Sequence, residues 1–229
     1  MAAGVFYIVS TPIGNLEDIT FRAVETLKKV DIILCEDTRR TSILLNKYDI
    51  RKQLVSCYQE NIKRRAPFII DHLLQGKSIA LVSDSGTPCI SDPGYIIVKE
   101  VIKNNIPLTV IPGPSAIISA LVVSGLPTKS FVFCGFLGKK KSKIIKEITE
   151  ALSLNKTVIF YESPYRLLRT LGIIRELSTE IKIAIVRELT KKFEEVIRGK
   201  IDEVINILNK RDTVKGEIVV VLSNEKENG

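Results

Sequence analysis

Ile79-Ala-Leu-Val-Ser-Asp-Ser-Gly-Thr-Pro-Cys-Ile-Ser-Asp-Pro-Gly94 is the stretch on which the fold turns. Its first four residues form an apolar run of strand length, as expected of a strand buried on both faces of a sheet. The loop that follows, residues 83–94, is rich in Ser, Asp, Gly and Pro, and a helix pattern near 95–103 comes next. Outward from here the alternation repeats. Toward the N-terminus, strands are expected at 5–9, 31–35 and 54–58, with helices at 21–30, 41–47 and 66–75. Toward the C-terminus a strand at 108–111 leads into a helix opened by Pro114. Such β/α alternation predicts a largely parallel sheet covered on both faces.

At Gly125-Leu-Pro-Thr128 the pattern breaks and a fresh strand, 131–136, begins. The expected domains are therefore 1–125, a parallel-sheet α/β domain, and 126–229, a second α/β domain. The second half reads as helix 142–152, strand 158–161, helix 164–177, strands 183–186 and 195–197, helix 201–209 and strand 218–222. Two adjacent strands near its end imply a mixed sheet, and the polar tail from Asn224 to Gly229 reads as frayed.

Ligands of open parallel α/β sheets bind where loops leave the carboxyl ends of strands. Three such loops stand out: Ser10-Thr-Pro-Ile-Gly-Asn15, residues 83–94, and Pro112-Gly-Pro-Ser-Ala116. Each alone is compatible with ordinary turn chemistry, and Pro114 in the first turn of a helix needs no ligand. Together, at one end of one sheet, they predict a binding cleft in which Gly and Pro let backbone approach a ligand closely.

Composition limits the chemistry. The 229 residues carry 34 Lys+Arg against 26 Asp+Glu, a net charge of +8, which is compatible with a polyanionic partner such as nucleic acid. Cys35, Cys57, Cys89 and Cys134 form no C-x-x-C pair, so they read as free thiols of a reducing compartment. The N-terminus has no basic n-region before its first strand, and Pro and Gly interrupt the uncharged stretch from 104 to 128. A cytoplasmic protein without a membrane span is expected. Neither G-x-G-x-x-G nor G-x-x-x-x-G-K-[ST] occurs, and the one histidine, His72, lies within a helix pattern. No Ser-His-Asp triad and no His-rich metal site can be assembled, so no metal is expected. What remains is chemistry on an already activated donor that needs chiefly positioning. S-adenosylmethionine is such a donor, and alignment alone can supply about 7 to 11 kcal/mol.

Seven motifs in order carry a resemblance. They are Thr11-Pro-Ile-Gly-Asn-Leu-Glu-Asp-Ile-Thr20, Glu36-Asp-Thr-Arg39, Leu81-Val-Ser-Asp-Ser-Gly-Thr-Pro88, Asp92-Pro-Gly94, Pro112-Gly-Pro-Ser115, Tyr161-Glu-Ser163 and Arg187-Glu-Leu-Thr190. The chain from about residue 5 to 222 resembles the tetrapyrrole methylase superfamily. Within it, the Thr-Pro-Ile-Gly-Asn and Ser-Asp-Ser-Gly-Thr-Pro loops resemble the branch that methylates the ribose 2′-oxygen of a cytidine in the decoding region of 16S rRNA. Porphyrin-ring methylases typically have a Gly-rich first loop and Gly-Asp-Pro in the middle one. The resemblance implies two α/β domains with S-adenosylmethionine in the cleft between them, usually in a homodimer, with the 30S subunit as partner. It implies that Pro12 and Ile13 line the cofactor cleft, that Asp84, Ser85, Gly86 and Thr87 meet the methionine and ribose portions, and that Ser115 and Ala116 flank them. Tyr161, Glu162 and Leu189 would hold the adenine side. Family members often continue beyond the last strand, so any RNA contact made by such an extension is expected to be absent or replaced here.

A ribose hydroxyl is a poor nucleophile at neutral pH and benefits from a group that accepts or orients its proton. Asp37 is the candidate to orient it, with Arg39 and Arg40 gripping the neighbouring backbone. Equally, Glu36 or Asp37 could only cap the next helix and pair with an arginine. Lys139, Lys140 and Lys141 are candidates for tracking single-stranded rRNA, or form a solvated basic loop. Two other functions stay open: methylation of a small tetrapyrrole, and RNA binding without catalysis.

Overall fold

The computed structural model describes residues 2–92 and 94–224. It divides into two compact units, 1–115 and 116–229. The tail expected to fray lies, beyond Asn224, outside the described residues, as does Pro93 of the middle loop.

The first unit is built on β1 (Phe6–Val9), β2 (Ile32–Cys35), β3 (Gln53–Ser56), β4 (Ile79–Val82) and β5 (Leu108–Ile111). All are parallel, in the order β3-β2-β4-β1-β5. Every residue of β2 and β4 is buried, as befits inner strands covered on both faces, whereas β3 and β5 sit at the edges and are partly exposed. Alternate side chains feed two cores. Val9, Ile33, Cys35, Ala80 and Val82 pack with α1 (Phe21–Lys29) and α2 (Thr38–Lys47). Phe6, Ile32, Leu34, Ile79 and Leu81 pack with α3 (Ile62–Leu74) and α4 (Tyr95–Lys103). Neighbouring strands β1 and β4 send their connections in opposite directions, β1 toward β2 and β4 toward β5. Their carboxyl ends therefore flank a switch point, where ligand crevices of such sheets form.

The second unit has β6 (Phe131–Phe136), β7 (Thr157–Glu162), β8 (Lys182–Arg187), β9 (Glu195–Lys200) and β10 (Ile218–Ser223), ordered β6-β7-β10-β8-β9. Only β6 and β7 run parallel, so the sheet is mixed as expected. One face packs on α6 (Lys141–Leu152), α7 (Leu167–Arg175) and α8 (Ile201–Asn209).

The division between the units falls earlier than the sequence break at Gly125. Helix α5 (Ala116–Ser124) packs on β7, β8, β9 and β10, and Arg198 of β9 donates to its Val123 carbonyl. Gly125, at φ +72°, is the left-handed residue that ends this helix, so the Gly-Pro signal marks a C-cap and not a domain boundary. Two further differences lie at helix starts. α2 begins at Thr38, capped by Asp37, and α3 begins at Ile62, ahead of Pro67, which it carries inside. A proline there sacrifices a single N–H bond, and the buried face of Ile62, Ala66, Ile69, Ile70 and Leu73 outweighs it.

Candidate active site

The three loops singled out in the sequence meet at the carboxyl ends of β1, β4 and β5. Thr11 and Gly86 form a two-way backbone bridge: Thr11 N donates to the Gly86 carbonyl at 2.9 Å and Gly86 N to the Thr11 carbonyl at 3.1 Å. Buried Thr11 Oγ1 donates to the Ser83 carbonyl at 3.1 Å, and Ser83 Oγ to the Gly86 carbonyl at 3.0 Å. Ser10 Oγ lies 3.0 Å from Thr87 Oγ1, which donates to the Pro114 carbonyl at 3.3 Å. Four short hydroxyl side chains thus staple three loops without long, entropically costly linkers.

Glycine is required here for two separate reasons. Gly86 has φ +81°, and a Cβ on it would lie 3.3 Å from Ile13 Cγ2. Gly113 passes so close to strand β1's end that a Cβ would stand 2.9 Å from Ser10 Cβ. Pro12 and Ile13 are buried, while Asp84, Thr87 and Ser115 are partly exposed and Ser85 is exposed. Thr11, Pro12, Leu16, Arg40, Thr41, Leu44, Ser83 and Asp84 line a small cavity of about 60 Å³. That is well below the roughly 300–1,000 Å³ of a ligand pocket, so this cavity is a subsite and not an enclosure for a whole cofactor.

Asp84 links the cradle to the loop after β2. Its Oδ1 accepts from Asp37 N at 3.1 Å, and its Oδ2 lies 3.7 Å from Arg40 NH1. Asp37 itself accepts from Arg39 N at 2.8 Å and takes a two-pronged ion pair from the Arg39 guanidinium, Nε at 3.0 Å and NH2 at 2.7 Å. These Arg39 hydrogen bonds lower the Asp37 carboxyl to a pKa of about 2. Asp37 thus caps α2 and pairs with Arg39. So weak a base can orient a hydroxyl, but is poorly matched to taking its proton.

Beside it stand two acids, Glu36 and Asp92, to which the sequence assigned no part in binding or catalysis. Glu36 is half-buried, and burial, with the charges of Asp92 and Asp84 nearby, raises its pKa. Asp92, raised by burial, accepts from Cys89 N at 2.6 Å and Gly94 N at 3.2 Å, and so folds the middle loop back on itself. Its neighbours Cys89 and Ser91 take φ of +72° and +65°, conformations that no residue type in this loop signals. Burial pushes the Cys89 thiol up to about 12 and that of Cys57 to about 11, so neither is an activated nucleophile. His72 sits within α3, with Nδ1 2.9 Å from the Phe68 carbonyl and its ring on that of Phe68. Among the described residues no group of three or more His, Cys, Asp or Glu could hold a metal ion. No described helix is long and apolar enough to cross a membrane.

In the second unit Tyr161 lies half-buried against Phe133 and Phe136, ring centroids 5.0 and 5.4 Å away. Leu189 is buried between Glu188 and Thr190, both at positive φ. Glu162, expected beside an adenine, is turned inward: its side chain is 1% exposed. Oε1 accepts from Ser163 N at 2.7 Å and pairs with Arg166 at 3.4 Å, and Oε2 accepts from Thr170 Oγ1 at 2.6 Å. With both oxygens engaged inside the protein, the Glu162 side chain shapes the 161–163 turn. Lys139, Lys140 and Lys141 are all exposed, and Lys141, which opens α6, is paired with Glu176 at 2.7 Å.

A parallel sheet with stapled carboxyl-end loops, followed in the chain by a mixed sheet, places the chain among two-unit α/β proteins with a ligand-binding end on the first sheet. The chain belongs to the tetrapyrrole (corrin/porphyrin) methylase family, whose sequence profile matches residues 5–205. It is 48% identical over 225 residues to a ribosomal RNA small subunit methyltransferase I of Thermotoga maritima, covering 97% of this chain and 100% of that one. The protein of the same name in Bacillus subtilis is 46% identical over 226 residues, 98% of this chain and 77% of that one. Among solved structures, a diphthine synthase superimposes with a TM-score of 0.74 at 14% identity, covering 96% and 89% of the two chains. A Thermus thermophilus uroporphyrin-III C-methyltransferase complexed with S-adenosylhomocysteine gives 0.62 at 14%, covering 95% and 96%. At that identity the structural likeness speaks for the fold alone.

Proposed function

We propose that this chain is an S-adenosylmethionine-dependent methyltransferase of 16S rRNA that methylates the ribose 2′-oxygen of a cytidine in the decoding region of the 30S subunit. The observation that carries the donor site is the Thr11–Gly86 bridge at the β1/β4 switch point, which joins the first two loops and, with the Thr87–Pro114 hydrogen bond to the third, makes one cradle. The rRNA acceptor is supported by the ribosomal RNA methyltransferase name of relatives covering nearly the whole chain.

Bound S-adenosylmethionine supplies an electrophilic methyl group on a sulfonium. The chain's residues bind and orient. Gly86 and Gly113 let backbone come close, the Asp84 carboxylate and Ser85 hydroxyl offer acceptors for amino and ribose hydroxyl groups, and Pro12, Ile13, Thr87, Ser115 and Ala116 shape the walls. Tyr161 and Leu189 are proposed to meet the adenine. Asp37, fixed by Arg39, orients the attacking hydroxyl, and Arg40 with Lys139 and Lys140 meets phosphates. The protein is proposed to act in the cytoplasm as a homodimer.

The test is transfer of labelled methyl from S-adenosylmethionine to 30S subunits lacking their decoding-region methylation, followed by mapping of the labelled ribose. Label at a cytidine 2′-oxygen is expected. Label entering a base, or only a porphyrin precursor, would exclude this reading.

A further inference from the structure

The carboxyl end of the first sheet carries a second built feature, outside the cradle, at edge strand β3. Cys57 N bonds the Cys35 carbonyl at 2.7 Å, so the chain leaving β3 runs beside that leaving β2. It then turns at Tyr58-Gln-Glu-Asn61, and hydrogen bonds close the turn. Asn61, 5% exposed, accepts from Tyr58 N at 2.9 Å and donates to the Ser56 carbonyl at 3.2 Å, while Asn61 N and Ile62 N both donate to the Tyr58 carbonyl. The turn presents the Tyr58 ring, 40% exposed, without using its hydroxyl inside the protein.

Directly after it come Lys63, Arg64 and Arg65, in the first turn of α3, where no acid stands. Cations at a helix N-terminus oppose the helix dipole, so local helix energetics do not account for them. Among the described residues Lys63 and Arg64 are exposed and have no carboxylate partner, and Arg65 Nε is buried with no acceptor. Glu60 is the one acid of the turn. Next along the sheet end, Arg39 and Arg40 rise from the first turn of α2. Cations above two helix N-termini, beside an exposed aromatic ring on a fixed turn, match the combination that binds single strands: charge for the phosphates and a π-face for a base.

We infer that the β3 end of this sheet, Tyr58 with Lys63, Arg64 and Arg65, is the docking face for the single-stranded RNA that enters the methyl-transfer site. The inference rests on the rRNA reading above and adds where the strand lies: over β3 and β2, with the target ribose toward the β4 and β1 loops. Strands are about 4.8 Å apart, so the span from β3 to β1 is about 14 Å, the reach of two or three nucleotides.

The test is fluorescence anisotropy of the full chain with a labelled single-stranded RNA of about ten nucleotides, across a series of salt concentrations. The paired substitution Lys63→Gln with Arg64→Gln is expected to flatten the slope of log K against log salt by about 1.4, twice the ~0.7 of one phosphate contact. Tyr58→Leu is expected to weaken binding roughly five- to hundred-fold at unchanged slope. Calorimetric affinity for S-adenosylmethionine should match the unsubstituted protein in every variant, which separates a lost docking face from a lost fold. Wild-type slope in the Lys63/Arg64 variant, or wild-type affinity in Tyr58→Leu, overturns the docking face, and does so even if 30S subunits are methylated normally. Conversely, if the variants behave as expected but no methyl reaches 30S subunits, the docking face stands and the rRNA methylation reading falls.

Discussion

Gly86 shows how much one residue carries in this site. Its left-handed backbone lets both its N–H and its carbonyl reach Thr11, and a methyl group there would meet Ile13. Gly86→Ala should cost about 1–2 kcal/mol of stability from the conformation alone. It should also weaken cofactor binding by at least tenfold, because the loops lose their common register. Calorimetric titration with S-adenosylhomocysteine measures the second effect, and an unchanged affinity would show that the bridge is dispensable. Glu36 makes the opposite prediction. Its pKa is raised by burial and by neighbouring acids, so the folded state holds that proton more tightly than the unfolded one. Stability is then greatest below the ordinary carboxyl value of 4.5 and falls as pH rises through the folded value. Glu36→Gln should raise the melting temperature at pH 7 and lose that advantage near pH 4. An equal gain at both pH values would point to packing instead of charge. Asp37 titrates the other way: lowered to about 2 by Arg39, it contributes above its ordinary value of 3.8 and fails only as pH drops through about 2. No limb of an activity profile near neutrality should therefore vanish in Asp37→Asn.

At the scale of elements, strands were the most legible feature, and the reason is burial. β2, β4 and β10 are buried along their whole length, so they appear as short, nearly uninterrupted apolar runs. Helix starts were less legible because caps are short-range polar events. Asp37 caps α2 four residues before Thr41, the first buried residue of that helix, and Ile62 starts α3 ahead of a proline that reads as a breaker. The staple was legible only in part. Gly and Pro marked the loops, but the pairing of Thr11 with Gly86 joins residues 75 positions apart, beyond any local pattern. Glu162 shows what a motif leaves out: it places an acid at the end of β7, yet only the fold reveals Thr170 in the next helix, donating to it at 2.6 Å. Thr170→Val keeps the shape and removes that donor from a fully buried carboxylate, so unfolding in urea should show a loss of about 1–3 kcal/mol. A loss under a few tenths of a kcal/mol would mean that Ser163 N and Arg166 suffice for Glu162.

For the whole molecule, the question is which parts of the chain a cofactor orders. The first unit supplies a stapled cradle but a cavity far too small to enclose a nucleoside, while Tyr161 and Leu189 enter through motif resemblance. Ligand that binds only the native state stabilises it by RT ln(1 + [L]/Kd), about 2.7 kcal/mol at a hundredfold excess over Kd. For a chain of this size each kcal/mol moves the melting temperature by about 2–4 °C, so S-adenosylhomocysteine at that excess should raise it by roughly 5–11 °C. The size of the shift does not say where binding occurs, but hydrogen exchange does. Backbone amides around Thr11, Ser85 to Thr87 and Ser115 should slow on ligand addition because the staple closes over the cradle. If the second unit meets the adenine, amides at Ser163 and at Glu188 to Thr190 should slow in parallel, since these turns present Tyr161 and Leu189. Protection confined to residues before Ser115 would remove the second-unit contacts from the proposal and leave the cradle as the whole of the protein's hold on the donor.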